Sequence, residues 1–199
     1  MSDPVRLSCA AFALMLLAGC GSAPRQPWDA TADATEGYGR TLDAWTRKDE
    51  AYDALDARLF ATATCASPTF QRALARRRAE HEGWPAARLD AALAEAALDA
   101  QKRLRCLVGV TPEDSHWDDA APGGTLEFSL QTDAGPIAAQ TVRKLSGDET
   151  ADLTPYYLWL NPLQSAYLVD FPPQSAPERL VLRISGPPAT IDLRWKMVR

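Results

Sequence analysis

Histidine is nearly absent from this chain, and so is any surplus of positive charge. Two histidines stand among 199 residues, and the 21 Lys and Arg are outnumbered by 26 Asp and Glu, for a net charge of −5. That balance excludes the clustered cationic surface that nucleic acid requires. The one basic run, RRR at 76–78, is diluted by Glu80 and Glu82 and reads as a solvated helix face. Long apolar runs are missing too: residues 7–19 make a run of 13, short of the roughly 20 that cross a bilayer. There is no Gly-x-x-x-x-Gly-Lys and no Gly-x-Gly-x-x-Gly, so nucleotide binding has no support. Gly-x-Ser-x-Gly is absent, and with it the usual nucleophile elbow. No Cys-x-x-Cys announces a redox dithiol. The 15 prolines fall at turns and strand boundaries rather than in a polyproline tract.

What is present starts at the front. Arg6 precedes the apolar run, whose length fits the hydrophobic region of a secretory signal. The run closes on Leu17-Ala18-Gly19-Cys20, which resembles the lipobox of bacterial lipoproteins residue by residue. That resemblance implies a diacylglyceryl group on the Cys20 thiol, cleavage before Cys20 and acylation of the new amine. Gly21 and Ser22 follow, with no Asp behind the cysteine, which by the same resemblance favours the outer membrane with the domain on its periplasmic face. More than one acyl chain makes such an anchor stable. The stretch 20–37, rich in Ala, Pro and small polar residues, reads as a lipidated cysteine and flexible tether. Residues 1–19 are then the signal and 38–199 a single globular domain. Hydrophobic content of 46% with six Trp fits a folded body.

Once Cys9 leaves and Cys20 carries lipid, Cys65 and Cys106 remain, and in an oxidising compartment they are expected to pair. Between them lies the clearest helical pattern, a hairpin at about 67–104. Ser67-Pro68 is a helix start, Phe70, Ala73 and Leu74 give one stripe, and Gly83 is a stop. After Pro85, the positions Leu89, Ala92, Leu93, Ala96, Ala97, Ala100 and Leu104 keep helical spacing. On both sides the period changes to two. "ARLFATATC" puts Leu59, Ala61, Ala63 and Cys65 on one face, and "LRCLVGV" does so with Leu104, Cys106, Val108 and Val110. "TLEFSLQ", residues 137–145, "YYLWL", "SAYLVDF", "ERLVLRIS" and "TIDLRWKM" continue the alternation. The expectation is a mainly β, α+β fold: an antiparallel β-sandwich of about eight strands with an inserted helical hairpin. The alternative is an N-terminal helical subdomain plus a C-terminal β domain, because Tyr38, Trp45, Tyr52 and Leu59 recur every seven residues. The block "LFATATCASPTF" and the layout over about 45–195 resemble uncharacterised predicted bacterial lipoproteins, a likeness that brings no activity with it.

Candidate chemistry is thin. His81 ends the first hairpin helix, where a basic side chain suits the dipole. His116 lies in "TPEDSHWDDAAPGG" beside Glu113, Asp114, Asp118 and Asp119, four carboxylates that could offer oxygens to Ca²⁺. One histidine and carboxylates without cysteine make a poor zinc set. Ser115 beside His116 is the nearest thing to a nucleophile with a base. Tyr156, Tyr157, Trp159 and Tyr167 could present a stacking face, with Tyr157 and Trp159 together on one side of a strand. These features predict a lipid-anchored periplasmic protein that binds or assembles an envelope protein or glycan and is not an enzyme. No cofactor is expected, and no nucleic acid. The alternatives are a Ca-dependent or glycan-binding sandwich using the 113–119 loop, and a hydrolase with His116 as base.

Overall fold

The computed structural model describes residues 26–28, 37–121, 123–133, 135–175 and 177–198. Cys20 lies outside them. In chain order the elements are β1 (Gln26–Pro27), α1 (Tyr38–Trp45), β2 (Thr46–Asp53), β3 (Asp56–Cys65), α2 (Pro68–Glu82), α3 (Ala86–Lys102) and β4 (Leu104–Pro112). A short 3₁₀ turn (Ser115–Trp117) follows, then β5 (Glu127–Thr132), β6 (Gly135–Ala138), β7 (Thr141–Lys144), α4 (Gly147–Leu153), β8 (Ser165–Phe171), β9 (Arg179–Ser185) and β10 (Thr190–Val198). The strands form two sheets, ordered β2-β3-β4-β8-β7 and β1-β10-β9-β5-β6. Every pairing is antiparallel except the two-residue β1, which runs parallel to the end of β10. The fold is α+β and mainly β, with the helical hairpin inserted between two adjacent strands.

Period-two burial decides which faces meet. Leu59, Ala61, Ala63 and Cys65 of β3 and Leu104, Cys106, Val108 and Val110 of β4 are all buried. The second sheet answers with Phe128 and Leu130, Leu180, Leu182 and Ile184, and Ile191, Leu193 and Trp195. Apolar area from both inner faces is removed from water together, which is the main stabilising term of a sandwich. Cys65 and Cys106 stand directly opposite across β3 and β4 and form a disulfide. The flanking bond, from the Ala66 N–H to the Arg105 carbonyl, marks a non-hydrogen-bonded pair, where side chains approach closest.

The helical hairpin follows its local signals. Ser67 accepts from the Phe70 N–H, Pro68 takes the first position, and Gly83 at φ 65° closes α2 in the left-handed region. Phe70, Ala73, Ala75 and Ala79 are buried. On α3 no residue is buried: its stripe of Leu89, Ala92, Leu93, Ala96 and Ala100 is half-covered against α2. Ala97 and Leu98 face solvent.

Several expectations are corrected. "YYLWL" is not a strand but a looped segment after α4, because α4 has a capping box, Ser146 with Glu149, that turns the chain first. Residues 137–145 do not return as one strand. β6 pairs with β5 in one sheet, and after Ala139 and Gln140 β7 pairs with β8 in the other. The seven-residue recurrence is not one helix, since Tyr38 and Trp45 belong to α1 while Tyr52 and Leu59 lie on β2 and β3. The helical-subdomain alternative therefore fails. Finally, residues 26–28, read as part of the tether, are docked: β1 adds to β10, and the buried Trp28 ring packs edge-on against Trp45, centroids 5.9 Å apart. Burial of one indole outweighs the polar composition around it.

Candidate functional site

The four carboxylates of the 113–119 loop each take a separate partner. Glu113 pairs with Arg58 at 2.6 Å. Asp114 accepts from the His116 N–H at 2.9 Å, and its Oδ1 lies 2.6 Å from His116 Nδ1. Asp118 accepts from Lys144 Nζ at 2.9 Å and Ser165 Oγ at 2.6 Å, while its carbonyl accepts from the Tyr167 hydroxyl. Asp119 accepts from the Ala121 N–H at 2.9 Å. Burial would raise the Asp118 carboxyl, but the Ser165 and Lys144 bonds hold it below the usual range. Among the described residues no group of three or more His, Cys, Asp and Glu converges as metal ligands would. The bond to Asp114 raises the His116 imidazole above its ordinary value. The pair has the form of a base with its orienter, yet the His116 side chain is 86% exposed, and Ser115 is exposed as well.

The expected aromatic face is not a face. Tyr157 is buried against Phe70 at 5.9 Å and Trp159 at 6.3 Å, and burial pushes its hydroxyl up to about 12. Trp159 is half-buried and donates its indole N–H to the Thr64 hydroxyl at 2.9 Å. Tyr156 is buried too, and Tyr167 packs against Phe128 in the core. Side chains alternate across a strand but not along this loop, so both tyrosines turn inward while Leu158 stays outside, 76% exposed.

Two concave surfaces lie along α2. RRR at 76–78 is half-buried rather than solvated, and its arginines line two clefts on either side of Pro155. Arg76 and Arg77 face one of about 400 Å³, closed by Tyr38 and Leu158. Arg78 faces one of about 610 Å³, between α2 and α4, with His81, Glu82, Arg143, Glu149 and Asp152. Its charges are largely satisfied in pairs. Arg143 meets Glu149 at 2.6 Å, and Glu82 accepts from the Tyr156 hydroxyl at 3.0 Å and the Trp84 indole at 2.7 Å. Those two bonds, the Trp84 one foremost, lower the Glu82 carboxyl. Arg78 holds its guanidinium 5.2 Å over the Tyr156 ring, and its Nε is buried without a hydrogen-bond partner. Among the described residues its polar lining is Arg, His, Glu, Asp and Tyr, so it offers charge of both signs and a ring to bind with. Sequence reasoning missed it because α4, which builds one wall, went unread. The Ser146-x-x-Glu149 spacing was the available signal.

No protein-family model, no curated protein and no solved structure matches this chain.

Proposed function

We propose that this is a lipid-anchored envelope protein, held at the outer membrane through Cys20, whose sandwich serves as a non-enzymatic binding or assembly module. The observation that carries the reading is the Cys65–Cys106 disulfide, which belongs to an oxidising compartment, behind a front end that reads as a lipobox. The charged cleft beside Tyr156, where Arg78 lies over the ring, supports a binding role. The docked Trp28 shortens the tether: only six positions separate Cys20 from Gln26, a reach of about 20 Å when fully extended.

The test has two parts in intact cells. Palmitate labelling of the wild type should be lost on Cys20→Ser; retained labelling sinks the anchor. Cross-linking followed by mass spectrometry should return one envelope component reproducibly. A folded, abundant protein that returns none sinks the assembly role. One further reading is favoured by the charge at the cleft. The Arg78 guanidinium, held over the Tyr156 ring at the cleft wall, suits an anionic small molecule, and Arg78→Ala would then abolish ligand-induced thermal stabilisation.

A further inference from the structure

At the end of the first sheet farthest from Trp28, two leucines, Leu55 and Leu163, stand almost fully exposed. β2 and β3 continue past β4, whose last pairing is Pro112 with Leu59. At the tip of the hairpin, between the paired Asp53 and Asp56, stand Ala54 and Leu55. Leu55 is 96% exposed; Tyr52, three positions back on β2, is 54% exposed, with its ring edge-on to Phe60 and its hydroxyl donating to Glu50. Leu163 is 87% exposed and lies at the same end, two residues before Ser165, which pairs with Val110. Single exposed leucines are ordinary, but this tip also breaks its own turn rule. Two-residue hairpin loops favour Asn-Gly or Asp-Gly, and here Ala54 sits at φ 54° with a leucine beside it. Neither residue is bought back by packing, since both are exposed.

We propose that this tip, with Leu55 as its point, docks a second protein whose socket is apolar and rimmed by Lys or Arg. Charge selects that partner. Asp53 and Asp56 flank the tip, and Asp49 and Glu50 stand four and three positions behind Asp53 on β2. The four carboxylates of the 113–119 loop follow β4 at the same end, Glu113 and Asp118 already paired with Arg58 and Lys144. Against these eight stand Lys48, Arg58 and Lys144. An acidic surface of this kind is repelled by anionic lipid and attracted by a cationic protein. Position agrees. Thr69, just past the Cys65 end of β3, donates to the Trp28 carbonyl, so the tip is the length of β3 away, ten residues or about 30 Å. A chain anchored at Cys20 holds the tip away from its own membrane. In this respect the inference rests on the proposed anchor and gives the binding module its surface.

The experiment places a photo-cross-linking amino acid at position 55 of the full chain in intact cells, with position 98 on α3 as control. A discrete protein adduct at 55 and none at 98 is expected. The adduct should be lost on Asp53→Lys with Asp56→Lys, while the melting temperature is unchanged. The identified partner, once purified, should bind Leu55→Ser about tenfold more weakly than wild type and weaken as salt rises. No adduct at 55, an adduct with lipid or with a second copy of this chain, or an adduct indifferent to charge reversal each overturns the proposal. Palmitate labelling in the same cells separates it from the anchor: labelled chain without an adduct defeats the docking surface alone, and an adduct on unlabelled chain defeats the anchor alone.

Discussion

Trp195 donates its indole N–H to the carbonyl oxygen of Trp45 at 3.0 Å, a buried bond between residues 150 positions apart. It ties the last strand to the end of α1, where Arg47 also donates to the Arg194 carbonyl at 2.9 Å. The two sheets are thereby joined along one edge. Trp195→Phe leaves the Trp45 carbonyl buried and unpaired beside a small void, and should cost about 2 kcal/mol. Urea unfolding measures it; a change within error would mean that the ring packing alone holds this edge.

The disulfide closes a span of 41 residues containing both hairpin helices. In the chain-entropy account that is worth about 4 kcal/mol. Cys65→Ala with Cys106→Ala should lower the urea midpoint accordingly, and added reductant should do the same to the wild type but not to the variant.

Asp170 is 8% exposed on β8 and is held by neighbours in register. Arg105, its partner on β4, bonds both carboxylate oxygens at 2.7 and 2.9 Å, and Arg103 and Thr141 each add a contact at 3.3 Å. Burial alone would raise this carboxyl, but the Arg105 bonds and the arginine charges bring it below its ordinary 3.8. Its contribution is therefore present above the unfolded carboxylate value and is lost as pH falls through the lower folded one. Asp170→Asn should cost about 2 kcal/mol at neutral pH, less than a sealed pair because Arg105 is a third exposed. The gap between variant and wild type should close below about pH 4. A gap that persists in acid would mean that shape, not charge, is responsible.

Gly109 faces outward on β4 under the loop after α4. A Cβ there would come within 2.8 Å of both Gln164 Oε1 and the Trp159 ring. Gly109→Ala should displace Trp159 from Thr64, red-shift its fluorescence and destabilise by about 1–3 kcal/mol. Fluorescence unchanged from wild type would show that the loop has room to give.

Ala54→Gly removes the left-handed strain at the hairpin tip, offset in part by glycine's greater entropy loss, and should stabilise by about 0.5–1 kcal/mol. A lower urea midpoint would show that Ala54 carries no strain.

The inner faces were legible because each strand alternates: from Leu59 to Cys65 and from Ile191 to Trp195, every second residue is apolar and buried. The disulfide was legible because two cysteines bracket one hairpin. β2 was not, because "TRKDEAYD" is an edge strand with little apolar face, and its run of Lys48, Asp49 and Glu50 is exposed. Nor were the clefts. Arg78 stacks on Tyr156 across 78 positions of chain, a contact that no local pattern announces. The acidic loop was visible as composition, but its separate partners, Arg58, Lys144 and Ser165, come from three other segments.

The short crossing at Ala139 and Gln140 has a consequence for how the molecule opens. Ala139 donates to the Phe128 carbonyl in one sheet and Gln140 to the Asp170 carbonyl in the other, so consecutive amides are stitched into different layers. Neither layer can peel away while the other stays whole. Amide hydrogens of β5 and β8 should therefore report one common opening free energy, that of the entire body.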